Sequence, residues 1–201
     1  MAKAIEQQSV RRHRFTVEEY QKMGEAGIFH EDDRVELIDG EVLEMSPISW
    51  RHAWCVRMLN RVLSAWTLQG RDENANTFVS SQDPFALDDY GEPQPDLAIL
   101  RDPPVGRLPG PEQLLLAVEV ADTSLAFNSN VKLPRYAEVG IPETWLADLN
   151  ADRFEVHAEP GPAGYRKTTR YARGERVESA TLPDLAFDAS EVLPPTDPEQ
   201  A

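Results

Sequence analysis

The run Leu114-Leu115-Leu116-Ala117-Val118-Glu119-Val120 constrains this chain more than any other segment. An uninterrupted apolar run of this length, bounded by turn residues, reads as a strand buried on both faces at the centre of a sheet. A glutamate near its end is costly unless a partner meets it. Pro95-Asp96, leading into Leu97-Ala98-Ile99-Leu100, supplies a second carboxylate on a strand. Placed side by side, Asp96 and Glu119 can chelate magnesium or manganese, which prefer oxygen ligands and commonly use one or two carboxylates. The main-chain carbonyl of Val120 is a natural third ligand.

Hydrolysis of a phosphodiester needs an activated water and a means of offsetting charge at phosphorus, which a metal and an ammonium group both supply. Positions 119 and 121 share one strand face, but Ala121 carries no charge. Lys132, on the following helix, has a stem long enough to reach the same cleft. On spacing alone an ordinary solvated helix lysine is the competing reading.

The elements around this pair follow from local signals. Thr16-Val17-Glu18-Glu19 has capping-box spacing and opens a short helix to about Gly24 or Gly27. Asp39-Gly40 between Val35-Glu36-Leu37-Ile38 and Glu41-Val42-Leu43-Glu44-Met45 is a strong hairpin signal. Ser49 caps a helix with Ala53, Val56, Leu59, Leu63 and Trp66 on one face, running to Gly70. Strands are expected over 77–80 and 96–100, with an acidic turn at 88–92 and a Pro-rich loop over 102–111. Helical spacing over 128–139 followed by a strand over 144–149 implies a parallel crossover. Strands over 153–158 and 165–171 extend the sheet in antiparallel fashion. The expected fold is a mixed α/β core, a central β-sheet flanked by helices, with an N-terminal helix and β-hairpin.

The 201 residues suit a single domain over 15–190, between a flexible leading segment (1–14) and a Pro-rich tail (191–201). One cysteine, Cys55, excludes an internal disulfide framework and a multi-cysteine zinc cluster, and suits a reducing compartment, with cytoplasm as the expectation. The sequence shows neither a signal-peptide pattern nor an apolar window of membrane-span length. A net charge of -15 disfavours indiscriminate attraction to phosphate backbones, although local fields matter more than the sum. Basic residues gather at Arg166, Lys167, Arg170, Arg173 and Arg176, which read as the charged face of an edge hairpin or as a phosphate contact. A G-x-S-x-G elbow, a phosphate-binding glycine loop and an H-E-x-x-H motif are all absent, which sets aside serine hydrolase, nucleotide hydrolase and zinc protease chemistry.

Several ordered segments together resemble a known family. They are Glu36-Leu37-Ile38-Asp39-Gly40-Glu41-Val42, Met45-Ser46-Pro47, Glu92-Pro93-Gln94-Pro95-Asp96-Leu97-Ala98, Val118-Glu119-Val120-Ala121-Asp122-Thr123-Ser124, Lys132-Leu133-Pro134-Arg135-Tyr136 and Gly140-Ile141-Pro142-Glu143. Over about residues 15–190 the chain is similar to the putative restriction endonuclease family of small bacterial proteins, within the PD-(D/E)XK nuclease superfamily. The resemblance implies a restriction-endonuclease-like core in which Asp96 and Glu119 bind Mg2+ or Mn2+, the lysine has migrated to the helix as Lys132, and Glu36 is an additional acid. The family pattern has an aspartate four residues before that lysine and an aromatic before the tryptophan, where this chain has Asn128 and Thr144. A neutral amide can orient the lysine or a water but cannot hold its charge.

Other residues carry two readings each. His52 can touch a phosphate or the metal cluster, or be a helix residue at the edge of the core. Gln82 can point into the cleft or belong to the Asp83-Pro84 turn. Cys55 reads as packing, and Trp50, Trp54 and Trp66 as core or interface. Three functions stay open on the sequence: a metal-dependent DNA endonuclease, a non-enzymatic binding or assembly module on the same fold, and a phosphodiesterase acting on RNA or a small nucleotide. Cutting both strands with so small a unit is easiest for a symmetric homodimer.

Overall fold

In the computed structural model, residues 11–30, 32–69 and 76–195 are described. The expected helix stop at Gly70, most of the leading segment and the end of the tail lie outside these residues.

Thr16 caps α1 (Val17–Glu25) with both halves of a capping box: Glu19 N–H donates to Thr16 Oγ1 at 3.2 Å and Thr16 N–H to Glu19 Oε2 at 2.9 Å. β1 (Val35–Ile38) and β2 (Glu41–Glu44) form a two-stranded antiparallel ribbon with Ile38 opposite Glu41. The two turn residues between them have positive φ, 52° at Asp39 and 78° at Gly40, as a tight turn matched to strand twist requires. Ser49 Oγ accepts from His52 N–H at 3.1 Å and starts α2 (Trp50–Leu68), whose buried stripe is Cys55, Leu59, Leu63 and Trp66.

The remaining strands are β3 (Thr77–Ser81), β4 (Leu97–Arg101), β5 (Leu114–Ala121), β6 (Glu143–Asp148), β7 (Arg153–Ala158) and β8 (Lys167–Ala172), hydrogen-bonded in that order into one sheet. β5 and β6 run parallel and every other neighbouring pair is antiparallel, so the sheet is mixed. The crossover between β5 and β6 is helical: α3 (Leu125–Phe127), a widened π turn over Asn128–Lys132, then α4 (Leu133–Glu138). A short pair, β9 (Arg176–Glu178) with β10 (Ala186–Asp188), and α5 (Ala189–Val192) close the fold.

Strand alternation divides the core. Leu97, Ile99, Leu116, Val118, Val120, Trp145 and Phe154 pack with the α2 stripe, while Ala98, Leu100, Ala117, Tyr136, Ile141 and Phe85 form a second cluster. Glu119 lies between Val118 and Val120, and so shares a sheet face with Ala117 and Ala121.

The structure departs from the expected elements in five places. The helix expected over 128–139 begins at Leu125 and contains the π turn, in which Leu133 N–H donates to Asn128 O. The strand expected over 165–171 pairs instead over Lys167–Ala172, because a turn around Gly161–Gly164 takes up the preceding residues. The β9–β10 pair was not foreseen. Packing does not end at 190, since Val192 and Leu193 are buried in the main cluster. The leading segment is also held at its end: the Arg14 guanidinium lies 4.4 Å from the Tyr90 ring centroid, and Phe15 N–H donates to Gly40 O.

The four arginines of the basic cluster are matched by acids. Arg166 faces Glu159 at 3.7 Å, Arg170 faces Glu155 at 2.8 Å, Arg173 faces Asp152 at 2.6 Å and Arg176 faces Glu178 at 3.4 Å. β8 pairs with β7 alone in the six-stranded order, which makes this the charged edge hairpin rather than a free cationic track. Among the described residues, no helix is long and apolar enough to cross a membrane.

Candidate active site

Asp96 immediately precedes β4, and Glu119 stands near the end of β5, its antiparallel neighbour. The two strands therefore bring both carboxylates to one cleft, with Val120 also in its lining. The ribbon carries Glu36 to the same place, and the π turn delivers Lys132. Met45 to Ser49, Asp122 to Ser124, His52, Gln82, Gln94 and Asn128 complete the walls of a cavity of about 230 Å³.

Lys132 is 97 % buried, as its 3 % exposure records, and its ammonium is the hub of the site. Nζ donates to Glu36 Oε1 at 3.0 Å and to Glu119 Oε1 and Oε2 at 3.2 and 3.3 Å, with the Gln94 carbonyl at 3.4 Å. Glu36 Oε2 lies 2.9 Å from the same nitrogen as an ion pair, yet has no hydrogen bond of good geometry. Lys132, which the sequence places on the helix after β5, stands within hydrogen-bond distance of both Glu36 and Glu119. Ala121 leaves no vacancy for one on the strand, because Leu133 and Leu146 pack against it.

Asp96 is held on both sides. Its Oδ2 accepts from Val120 N–H at 2.8 Å, and its Oδ1 lies 3.0 Å from His52 Nε2. His52 thus reaches the acid cluster, while its Nδ1 is buried without a partner among the described residues. Gln82 also faces the cleft and adopts φ 55°, a left-handed conformation that a side chain rarely takes. Asn128 does not meet the lysine: its Nδ2 donates to Ser124 Oγ at 3.3 Å. Thr144, where the family pattern has an aromatic, bonds the Tyr165 hydroxyl at 2.7 Å on the far side of β6 from Trp145.

Tyr136 is the contributor that sequence reasoning missed. Its hydroxyl donates to Glu119 Oε1 at 2.7 Å from a fully buried ring. The signal was present, since Tyr136 follows Lys132 by four residues and so by about one helical turn, but its place in an apolar stripe read as core alone.

Burial pushes the Glu119 carboxyl up to about 8, with Asp96 and Glu36 adding to the rise against the opposing pull of Lys132. Burial alone would lower Lys132, but the Glu119 and Glu36 carboxylates outweigh it and hold the ammonium well above its usual range. Burial, then the nearby carboxylates, raises Tyr136 far enough that it stays a donor. Two acids contact the fixed cation and a third, Asp96, lines the same cleft, a set of hard oxygen atoms of the kind that magnesium and manganese take as donors. Among the described residues, no three His, Cys, Asp or Glu side chains are already gathered as a metal cage.

The folded chain is similar to a solved structure, a putative nuclease belonging to DUF820 from Anabaena variabilis ATCC 29413, with a TM-score of 0.66 at 13% sequence identity. The likeness covers 89% of this chain and 97% of that one, and it establishes a shared fold. No match is found among curated proteins. The sequence matches the Uma2 family, described as "Putative restriction endonuclease", over residues 17–190, which span both strands of the acid pair, the ribbon and the lysine. The chain belongs to the Uma2 family of putative restriction endonucleases.

Proposed function

We propose that this protein is a metal-dependent endonuclease that hydrolyses phosphodiester bonds of DNA. The observation that carries the reading is the convergence of Lys132 Nζ on Glu36 and Glu119 beside Asp96, in the cleft of a nuclease-family fold. Asp96, Glu119 and the Val120 carbonyl are the groups that would hold Mg2+ or Mn2+. When bound, such an ion lowers the pKa of a water and offsets charge on the phosphate.

The chain's own residues supply the rest. Lys132 is a fixed ammonium that donates to the attacking water or to a non-bridging phosphate oxygen and stabilises the pentavalent centre. Glu36, whose Oε2 lacks a hydrogen bond, is placed to accept a proton from that water. Water adds to phosphorus as Glu36 takes its proton, the bond to the leaving ester oxygen breaks with its electron pair, and that oxygen takes a proton from solvent while Glu36 returns its own to solvent. The overall negative charge makes DNA binding weak or locally steered, and cutting both strands would use a homodimer. A cytoplasmic bacterial setting fits the lone buried thiol and the family.

Incubation with supercoiled plasmid and Mg2+ or Mn2+ tests this. Nicked or linear product that disappears with EDTA, with Asp96→Ala and with Lys132→Ala is expected. Unchanged plasmid, or cleavage that survives those substitutions, overturns it.

A second reading has one observation in its favour. Lys132 already balances Glu36 and Glu119, and Asp96 is already satisfied by Val120 N–H and His52, so the cluster is self-contained as an assembly or binding module. Calorimetry with Mn2+ separates the two, since a module of that kind shows no binding that Asp96→Ala abolishes.

A further inference from the structure

The hydroxyl of Tyr136 has no packing reason to exist. Its ring lies fully buried among Phe85, Ala98, Leu100, Ala117 and Ile141, with the Phe85 ring centroid at 5.7 Å. A phenylalanine would fill that space without a polar group to desolvate. What the hydroxyl does is donate to Glu119 Oε1 at 2.7 Å.

That bond makes the two oxygens of Glu119 unequal. Oε1 receives both Tyr136 O–H and Lys132 Nζ, whereas Oε2 receives Lys132 alone, at 3.3 Å. A carboxylate oxygen has two acceptor sites, so Oε1 is saturated and Oε2 keeps one open. Lys132 and Tyr136 are a turn apart on the same helical segment, so one rigid element grips the carboxylate at two points.

We propose that Tyr136 is a positioning residue: it fixes the rotation of the Glu119 carboxylate so that Oε2, not Oε1, is the oxygen offered to whatever the acid cluster binds. This rests on the nuclease reading for its kinetic consequence but not for its structural one. Tyr136 touches no substrate, and its effect passes through Glu119.

Tyr136→Phe tests the assignment, because it removes one oxygen and keeps the ring. With plasmid and Mn2+, kcat is expected to fall about ten-fold or more, the worth of a hydrogen bond to a charged group, while KM for DNA stays within two-fold. In a Glu119→Gln background the same change is expected to have no further effect on residual kcat. Crystal structures of the wild type and Tyr136→Phe give the second readout: the Glu119 carboxylate should be rotated, or split between orientations, in the variant. An unchanged kcat, or an unrotated Glu119 carboxylate, overturns the assignment. A wild type inactive on DNA defeats the nuclease reading, and the carboxylate rotation then decides the Tyr136 assignment alone. Should Tyr136→Phe not fold, Tyr136→Met in the same two readouts replaces it, since a flexible thioether adapts to the space and cannot donate to Glu119.

Discussion

Lys132 Nζ stands 3.2 Å from Glu119 Oε1 across 13 positions of sequence, bridging the end of a central strand and the helical crossover that follows it. The pair is buried on both sides, at 3 % exposure for each side chain. The ammonium is therefore a structural countercharge as well as a candidate participant in chemistry.

Removing that countercharge should be expensive. Lys132→Met leaves Glu36 and Glu119 buried together without their cation, and a loss of about 3–5 kcal/mol at pH 8 is expected. The loss should shrink at pH 5, where Glu119 is neutral. Urea unfolding of both proteins at the two pH values measures it, and a difference below about 1 kcal/mol at both would show that the ammonium is not needed for balance.

Glu119 also sets a pH dependence in the metal-free protein. Its folded pKa is raised from 4.5 to about 8 by burial, so between those values the native state binds more protons than the unfolded chain. Its contribution to stability is fully present below about 4.5 and is lost as pH rises through about 8. Glu119→Gln cannot titrate, so its melting temperature should decline less than the wild type's across that window. Parallel curves for the two proteins would contradict the assignment.

Two glycines should respond to alanine with opposite signs. At Gly40, φ is 78° and a Cβ would lie 2.6 Å from Arg14 Cβ, so Gly40→Ala is expected to cost about 1–3 kcal/mol and to lower plasmid cleavage by disturbing the ribbon that carries Glu36. At Gly24, inside α1, nothing lies within 4 Å of an added Cβ, and Gly24→Ala is expected to stabilise by about 0.5–1 kcal/mol. Chemical denaturation of both variants checks the pair.

Cys55 should be inert while the protein is folded. It is fully buried in the α2 stripe, and burial, with the Asp96 charge adding, pushes its thiol far above the ordinary range. Ellman's reagent at pH 8 should find no thiol in the native protein and one in denaturant. Rapid native reaction would show that α2 opens at low cost.

What could be read from the sequence had a local cause. Thr16 with Glu19, Asp39-Gly40 and Ser49 announce their elements through caps and turn geometry within four residues. The Leu114–Val120 run declared a central strand, and Glu119 within it demanded a partner. The illegible parts depend on contacts distant in sequence. Apart from its one-turn spacing from Lys132, nothing near Tyr136 in the chain says that its hydroxyl meets Glu119, since β5 and α4 come together only after the crossover folds back. The π turn at Asn128–Lys132 has no residue signature of its own. Val192 and Leu193 lie next to a pair of prolines, so composition there resembles a tail, yet their apolar side chains are buried in the main core cluster.

The ribbon of β1 and β2 is not hydrogen-bonded into the six-stranded sheet as a further strand. It is fastened by the Leu37–Glu92 bridge, by Gly40 N–H to Tyr90 O, and by Arg135 reaching Asp39 at 3.0 Å. Glu36 thus belongs to a different mechanical unit from Asp96 and Glu119. The acid cluster is assembled across a seam, and substitutions along that seam can change its acid count from three to two while the strands that carry the other two acids stay folded. Sequence drift at Asp39 or Arg135 would then tune or silence the proposed chemistry without altering any residue assigned a part in it.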